Sequence, residues 1–415
     1  MSAPEIVTFG CRLNAFESKI IRDHVRGAGL TDTIVFNTCT VTAEADRQAR
    51  QAIRKARRKR PDARIIVTGC AAQIDPLRFA AMEEVDQVLG NAEKLRAESY
   101  RAEAAPPILV DDVMTARESA HHLVSGFDGR ARAFVQIQQG CDHRCTFCII
   151  PFARGPNRSV PAERIVEQVH GLVADGIREV VLTGVDITDY GLDLAVRPSL
   201  GRMVRTLLRE VPDLPRLRLT SLDAAEVDDE LLAVLADEPR LMPHIHVSAQ
   251  SGDDMILKRM KRRHSRAHLI QFCDRVRDAR TDAVFGADLI AGFPTETEQM
   301  FDNSVSLVDE CGLTHLHVFP YSERPGTPAA RMPQVPVPVR KQRAALLREA
   351  GERRLKAYLD GRRGATVRVL VETARAGRCE HYARVALDRD ASPGEIVTAV
   401  VERRENTTLS ARLVR

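Results

Sequence analysis

Apolar runs alternate with amphipathic stretches over the first hundred residues. The segments 5–10, 33–38 and 63–69 are typical of buried strands, and each is followed by a helical pattern. Strands that alternate with helices favour a parallel, doubly wound sheet. We therefore predict an N-terminal α/β domain over residues 1–105, and we interpret the polar stretch 101–130 as a linker.

A second α/β pattern occupies the middle of the chain and predicts a domain over residues 127–357. Its strand-like runs alternate with helices, which fits a partial (β/α) barrel with its site at the carboxyl ends of the strands. There are six such runs: 131–138, 178–186, 216–223, 243–250, 282–294 and 314–321. Short β segments separated by turn residues then predict a small antiparallel β-barrel over 358–415.

Composition narrows the class of protein. Of the 415 residues, 44% are hydrophobic and 28% charged, which excludes wholesale disorder and a fibrous protein. No run approaches the roughly 18 apolar residues of a membrane span, and the N-terminus lacks a secretion signal. The sequence thus predicts a cytoplasmic protein with no membrane contact. In such a reducing compartment its nine cysteines favour metal ligands or reactive thiols over disulfides.

Basic residues are concentrated in two segments. Residues 47–64 hold nine Arg and Lys against one Asp, and residues 340–415 hold eighteen against ten acidic residues, although the whole chain is only +4. Helical spacing places five arginines of the first segment on one face: Arg47, Arg50, Arg54, Arg57 and Arg58. We expect this helix to pack its alanine-rich back on the sheet and to present its arginines to RNA phosphates. The alternative is a charged face that is simply solvated.

The segment 141–148, CDHRCTFC, carries the most specific chemical pattern. Its cysteines, Cys141, Cys145 and Cys148, have C-x3-C-x2-C spacing directly after the first predicted barrel strand. Three thiolates can bind three irons of a four-iron cluster, which leaves one iron open to a small chelating molecule. A structural zinc site needs four closed ligands, and His143 inside the loop is the available fourth ligand. We favour the iron–sulfur interpretation over zinc.

A second set of cysteines is spread along the N-terminal domain. Cys11, Cys39 and Cys70 each follow one of its three predicted strands. The carboxyl ends of parallel strands face one crevice, so we expect these cysteines to form a second three-ligand cluster with an open iron. The alternative is that they are small core residues. The other three cysteines lack such an arrangement, and Cys273 lies on an apolar helical face typical of the core.

The C-x3-C-x2-C loop, with Phe147 before its last cysteine, resembles the radical S-adenosylmethionine (SAM) superfamily. The resemblance implies that the open iron binds SAM, whose reductive cleavage yields a 5′-deoxyadenosyl radical. It also implies cofactor contacts from the ends of later strands: Thr183, Gly184, Ser248, Gln250 and Gly292.

Two three-cysteine sets, a partial barrel and a β-rich tail together resemble the methylthiotransferase family over nearly the whole chain. Within it, segments 9–14, 37–42 and 321–327 resemble the branch that acts on N6-threonylcarbamoyladenosine in tRNA. The resemblance implies two [4Fe-4S] clusters, SAM as cofactor and a TRAM-like RNA-binding domain at the C-terminus. The implied reaction is methylthiolation at C2 of that nucleoside, beside the anticodon, with two SAM molecules consumed.

Two other functions stay open. A sister enzyme would act on isopentenyladenosine in tRNA or on a ribosomal protein. A non-catalytic iron–sulfur RNA-binding protein is the alternative of another class, although pure binding needs no open iron. The implied partners are the tRNA anticodon stem-loop, an unidentified electron donor and an unidentified sulfur source. We expect a monomer, and the sequence indicates no general base or other catalytic side chain.

Overall fold

The computed structural model describes residues 2–101, 106–116 and 131–414. Its N-terminal part is a parallel sheet whose strand order follows the chain. The strands are β1 (Glu5–Thr8), β2 (Thr33–Thr38), β3 (Arg64–Gly69), β4 (Gln87–Leu89) and β5 (Ile108–Leu109). The helices are α1 (Arg12–Gly27), α2 (Ala43–Lys59), α3 (Cys70–Ile74) and α4 (Pro76–Ala80).

Helices cover both faces of this sheet. Ile21 of α1 packs with Val35 on one face, whereas Ile53 of α2 packs with Phe36 on the other. The alternation along β2 explains the division, because successive side chains of a strand point to opposite faces. The predicted α/β layering with a parallel sheet is confirmed.

The prediction of a linker over 101–130 is wrong for Ile108–Leu109. These two residues form β5, which pairs in parallel with Val88 and Leu89 of β4. A strand of two residues is too short to produce a periodic pattern, so it had no signal in the sequence. Residues 102–105 and 117–130 lie outside the described part of the chain.

The middle of the chain forms a six-stranded partial barrel, as predicted. Two parallel three-stranded sheets meet through isolated bridges from Leu217 to Leu241 and from Leu222 to Val247. The strands are β6 (Ala133–Gln136), β9 (Glu179–Thr183), β10 (Arg216–Leu219), β11 (His244–Gln250), β12 (Val284–Ala291) and β13 (Leu313–Pro320). A short antiparallel pair, β7 (Gln138–Gln139) and β8 (Arg158–Ser159), flanks the cysteine loop.

Helices connect and cover the barrel strands. They are α5 (Ile150–Arg154), α6 (Ala162–Ala174), α7 (Leu200–Glu210), α8 (Asp229–Asp237), α9 (Asp254–Met260), α10 (Arg266–Ala279), α11 (Glu298–Glu310) and α12 (Val337–Asp360). Cys273 is buried in this core, as predicted, and its thiol is hydrogen-bonded to that of Cys311, a pairing that the sequence did not indicate. No helix in the described ranges is long and apolar enough to cross a membrane.

The C-terminal part is a closed five-stranded barrel with its own apolar core. Its strands are β14 (Thr366–Thr373), β15 (Ala376–Arg378), β16 (Arg384–Leu387), β17 (Ile396–Glu405) and β18 (Thr408–Leu413). The predicted small barrel is confirmed. Its pairings are antiparallel except for that between β16 and β18, which is parallel.

The edge of the N-terminal sheet that carries the three cysteines lies over the mouth of the partial barrel. The backbone N–H of Ala43 donates to Ser322 Oγ at 2.9 Å, and the Arg324 guanidinium donates to the Thr40 hydroxyl. On the other side Asn91 Nδ2 donates to the carbonyl of Ala153 at 2.7 Å. Two sets of strand ends, one from each α/β unit, therefore face one another.

Candidate active site between two cysteine sets

The structure brings Cys11, Cys39 and Cys70 together at one edge of the N-terminal sheet. Cys11 precedes α1, Cys39 follows β2 and Cys70 begins α3. Gly10 has φ +91°, and a Cβ at that position would lie 2.7 Å from Cys39 Sγ, so only glycine allows this approach. Burial raises the pKa of Cys39 to about 12, and the nearby Cys70 and Cys11 add to the shift. Without a bound cation Cys39 is a neutral thiol at pH 7.

Arg154 reaches this cysteine set from the other half of the molecule. It is the last residue of α5, which follows the C-x3-C-x2-C loop, and only 2% of it is exposed. Its Nε lies 3.0 Å from Cys70 Sγ, and its terminal nitrogens donate to Asn14 Oδ1 at 2.5 Å and to Glu17. Arg154 therefore connects the segment that follows the C-x3-C-x2-C loop with a thiol of the N-terminal cysteine set.

A second buried cation completes this cluster of charges. Lys94 Nζ lies 2.6 Å from Glu17 Oε2 and 2.7 Å from Asn91 Oδ1, and both Lys94 and Glu17 are fully buried. Burial opposes ionisation of Glu17, but Arg154 and Lys94 outweigh it and lower its pKa to about 2. The shell behind the cysteines thus holds two cations against one carboxylate. It lies next to thiols that become anionic when they bind metal.

The thiols of Cys141, Cys145 and Cys148 also lie close enough to interact electrostatically with one another. The loop closes because Cys141 N donates to the carbonyl of Gly155 at 3.0 Å and Cys148 N donates to that of Cys145 at 3.1 Å. Gly140, with φ +73°, is required before it, since a Cβ there would lie 1.8 Å from the carbonyl oxygen of Pro156.

Arg262 lies beside the cysteines of this loop, and carboxylates bind the histidine of the loop, His143. Arg262 places Nη1 3.7 Å from Cys145 Sγ and is held by Asp223. His143 Nε2 lies 3.1 Å from Asp186 and 3.2 Å from Asp189, and these hydrogen bonds raise its pKa to about 9. With this imidazole engaged by carboxylates, the loop offers three cysteine donors, whereas a closed structural zinc site has four ligands.

A cavity of about 640 Å³ lies between the N-terminal sheet and the mouth of the partial barrel. Cys11 and Cys39 line it on one side, and Thr183, Gly184 and Gln250 line it on the other. Its volume falls in the range of pockets that hold a small organic ligand. The cavity thus extends from two cysteines of the N-terminal set to Phe147 of the C-x3-C-x2-C loop.

Three of the five residues predicted to contact SAM line this cavity, and two do not. Ser248 and Gly292 are absent from its wall. Gly292, with φ +72°, is packed against α12, because a Cβ there would lie 2.6 Å from Arg340 Cγ. Close packing therefore already accounts for this glycine.

The cavity wall also contains a polar cluster that the sequence patterns did not lead us to predict. His246 Nε2 and His317 Nδ1 lie 3.1 and 3.2 Å from the same oxygen, Oδ1 of Asp288, and Ser221 Oγ lies 3.3 Å from the other oxygen. Alternating histidines in HIH (244–246) and HLH (315–317) were the available signal. Residues two apart on a strand share a face.

The arginine face of α2 is only partly available to a ligand. Arg57 donates to the carbonyls of Pro61, Ala63 and Glu84 and pairs with Asp86 at 2.7 Å. The expectation that it faces RNA phosphates is therefore wrong, because its guanidinium fastens the end of α2 to the sheet. Helical periodicity cannot show that an arginine donates to backbone carbonyls, since these acceptors lie outside the helix.

Comparison with known proteins places these observations in a family. Residues 135–308 match the Radical SAM superfamily, and residues 4–90 match the Uncharacterized protein family UPF0004. The chain is 53% identical over 395 residues to the threonylcarbamoyladenosine tRNA methylthiotransferase MtaB of Rickettsia prowazekii (strain Madrid E), covering 95% of this chain and 94% of that protein.

Two further proteins are similar to the chain at lower sequence identity. A tRNA-2-methylthio-N(6)-dimethylallyladenosine synthase of Sorangium cellulosum (strain So ce56) is 35% identical, over 88% of this chain and 81% of that one. The solved structure of the radical S-adenosylmethionine methyltransferase TsrM from Kitasatospora setae superposes with a TM-score of 0.57 at 16% identity, over 80% of this chain and 75% of that one. That likeness is one of fold.

Proposed function

The chain belongs to the methylthiotransferase family of radical SAM enzymes, and from that premise we propose that it replaces the C2 hydrogen of N6-threonylcarbamoyladenosine in tRNA with a methylthio group. The observation that carries the proposal is a cavity lined by Cys11 and Cys39 of the N-terminal set and by Phe147 of the C-x3-C-x2-C loop. One set would hold the cluster that cleaves SAM and the other the cluster that holds sulfur. A nucleoside in the cavity would lie between both.

The residues around Cys11, Cys39 and Cys70 fit a [4Fe-4S] cluster. A four-iron core with three thiolates and an open iron carries one net negative charge in its common oxidised state. The buried shell of Arg154, Lys94 and Glu17 carries one net positive charge. Hydrogen bonds to ligand sulfurs are a usual means of stabilising such clusters, and Arg154 Nε is placed to make one to Cys70.

Cys141, Cys145 and Cys148 fit a second cluster on the same grounds. Three thiols approach one another, Arg262 lies beside them, and His143 is occupied by carboxylates. When bound, the clusters and SAM supply the electron, the 5′-deoxyadenosyl radical and the sulfur that the reaction needs. The protein's own part is to hold the nucleoside between the two sites and to shield it from water.

We further propose that the N-terminal domain extends beyond the predicted 1–105 to include β5, and that the barrel and C-terminal domains span 127–357 and 358–415. Of the predicted SAM contacts, Thr183, Gly184 and Gln250 line the cavity and are proposed to bind SAM directly, whereas Ser248 and Gly292 are proposed to serve the SAM site from outside its wall. Helix α2 supports tRNA as the partner. Thr42 and Ala45 line the cavity, and from there the helix runs outward for roughly 25 Å at 1.5 Å per residue. Its outer end carries exposed cations along which an RNA backbone could lie.

The identity of 53% against 35% supports threonylcarbamoyladenosine over its isopentenyl counterpart as the substrate. Mass spectrometry of tRNA nucleosides from a deletion strain tests this choice. Loss of the methylthio group from threonylcarbamoyladenosine alone is expected, and loss from isopentenyladenosine alone would favour the sister function. The electron donor and the sulfur source remain unidentified. The monomeric state and cytoplasmic location remain predictions from the sequence.

Cysteine substitutions test the division of labour between the two sets. Anaerobically reconstituted protein should carry about eight irons, and about four when Cys11, Cys39 and Cys70 are replaced by Ala. That variant should still cleave SAM to 5′-deoxyadenosine, because the barrel set is intact, but should form no methylthio product. The matched control, Cys379→Ala in the C-terminal barrel, should keep both activities. Methylthio product from the triple variant would show that these cysteines are structural.

A further inference from the structure

The wall of the central cavity contains one guanidinium among the lining residues that the structure describes, that of Arg12. Arg12 directly follows Cys11 and is the first residue of α1. It also lines a neighbouring cavity of about 340 Å³ against the C-terminal barrel, so its side chain lies between the two spaces. The polar contact that its guanidinium makes is to the hydroxyl of Tyr382, at 3.4 Å.

The carboxylate in the cavity wall is already compensated. Asp288 accepts from His246 and His317 on one oxygen and from Ser221 on the other. Although burial opposes its ionisation, the two histidines keep its pKa below the usual value. Asp288 is therefore bound to its own neighbours, and it does not neutralise Arg12.

Unlike the arginines around it, Arg12 has no carboxylate partner among the described residues. Four guanidiniums surround the ring of Tyr382, with their carbons 4.3 to 5.8 Å from its centroid: Arg12, Arg132, Arg218 and Arg378. Three of them have carboxylate partners. Arg132 and Arg218 pair with Glu179, and Arg378 lies 3.5 Å from Glu372. In the described part of the chain Arg12 has none.

We propose that Arg12 binds the carboxylate of the threonylcarbamoyl group and so selects this nucleoside over one with an apolar N6 substituent. The inference rests on the proposed function, which puts the modified adenosine in this cavity. A guanidinium binds a carboxylate through two parallel N–H···O hydrogen bonds. An isopentenyl group offers no acceptor, and its binding would leave the guanidinium desolvated and unpaired.

The position of Arg12 couples recognition to chemistry. Its neighbour Cys11 belongs to the set assigned to sulfur, and α1 holds both residues at the same end of one helix. A substrate whose carboxylate is fixed by Arg12 is thereby positioned relative to that set. Arg12 is in this sense a specificity-determining residue that binds substrate without contacting the reacting C2 atom.

The experiment pairs a protein variant with a substrate variant. Full-length protein with both clusters reconstituted is titrated with an anticodon stem-loop RNA carrying N6-threonylcarbamoyladenosine, and with the same RNA whose threonine carboxylate is converted to the carboxamide. Wild-type protein should prefer the carboxylate by about 10- to 100-fold in Kd, as expected for hydrogen bonds to a charged group. Arg12→Gln should lose most of this preference, and Arg12→Lys should recover part of it because the charge is retained.

Controls separate this inference from its premise. Arg202→Gln, which removes an exposed arginine of α7, should keep the full preference together with the iron content and RNA-free SAM cleavage of the wild-type protein. An equal carboxylate preference in wild type and Arg12→Gln would overturn the inference, whatever the activity. Failure of the proposed function would appear differently: the wild-type protein would form no methylthio product on the carboxylate RNA, although the binding preference could still be measured.

Discussion

At the scale of single residues, Arg154 joins the two α/β units behind the N-terminal cysteine set. It belongs to the barrel half of the chain, yet Cys70, Glu17 and Asn14 of the N-terminal half are its partners. Breaking a buried ion pair by removing one partner typically costs about 3–5 kcal/mol, because the other charge is left without compensation. The cluster of Arg154, Glu17 and Lys94 is therefore expected to be a sensitive part of the protein.

Replacing Glu17 by Gln should lower the free energy of unfolding by about 3–5 kcal/mol at pH 7, because Arg154 and Lys94 would remain as buried cations without an anion. Urea unfolding followed by circular dichroism measures the change. The exposed Glu349→Gln on α12 is the matched control and should stay within about 0.5 kcal/mol of wild type.

The stability difference between the wild-type protein and Glu17→Gln should depend on pH. Despite its burial, Glu17 has a pKa near 2 because of Arg154 and Lys94, whereas an unfolded Glu titrates near about 4.3. The contribution of Glu17 to the free energy of unfolding is thus complete above about pH 4.3 and is lost as pH falls towards 2. The stability difference between wild type and Glu17→Gln should narrow over this range. A difference that stays constant from pH 5 to 2 would contradict the assignment.

At the scale of elements, α2 combines two kinds of arginine. Arg57 is held by backbone carbonyls and Asp86, and Arg54 lies 3.9 Å from Glu84. Lys55, Arg58 and Lys59 are exposed and have no carboxylate partner in the part of the chain that is described. We therefore expect phosphate contacts from these three cations, of which only Arg58 belongs to the arginine face that periodicity selected.

Changing Lys55, Arg58 and Lys59 to Gln should weaken tRNA binding and make its salt dependence shallower. Every phosphate that the protein no longer neutralises reduces the slope of log K against log salt by roughly 0.7–0.9. Equilibrium titrations at several salt concentrations measure both quantities. Arg57→Gln is the control: it should destabilise the fold but leave the slope unchanged, since its charge is neutralised by Asp86. An unaltered slope in the triple variant would mean that this face is only solvated.

At the scale of the whole molecule, buried arginines attach the C-terminal barrel to the core. Arg216 donates to the carbonyl of Arg368 at 2.7 Å, and Arg218 donates to those of Cys379 and Glu380 at 2.9 and 2.8 Å. Both arginines also face Glu179 on the core side. Deleting the barrel would uncover these charges, so point substitutions test its role more cleanly.

The double variant Arg216→Gln and Arg218→Gln should loosen the barrel without unfolding its own core. Limited proteolysis should then cut near residues 361–365, between α12 and β14, and release a fragment of about 50 residues, which mass spectrometry would identify. Arg384→Gln on the exposed side of β16 should leave the digestion pattern as in wild type. Equal resistance of the double variant would show that other contacts hold the barrel.

Much of this architecture was determined by sequence alone. Residue order places Cys11, Cys39 and Cys70 after three successive strands, and parallel pairing brings strand ends to one edge whatever the details of packing. The six barrel strands and the terminal β-barrel followed from apolar periodicity, which is a local property. The spacing of Cys141, Cys145 and Cys148 confines them to one short loop in the same way.

Only the tertiary structure decided which charged side chains meet. Arg154 and Glu17 are 137 positions apart, Arg12 and Tyr382 are 370 apart, and the capture of Arg57 depends on carbonyls from other elements. An arginine has the same helical periodicity whether it pairs with a carboxylate or faces a cavity. Its role therefore depends on distances between distant parts of the chain, which packing sets and sequence patterns do not record.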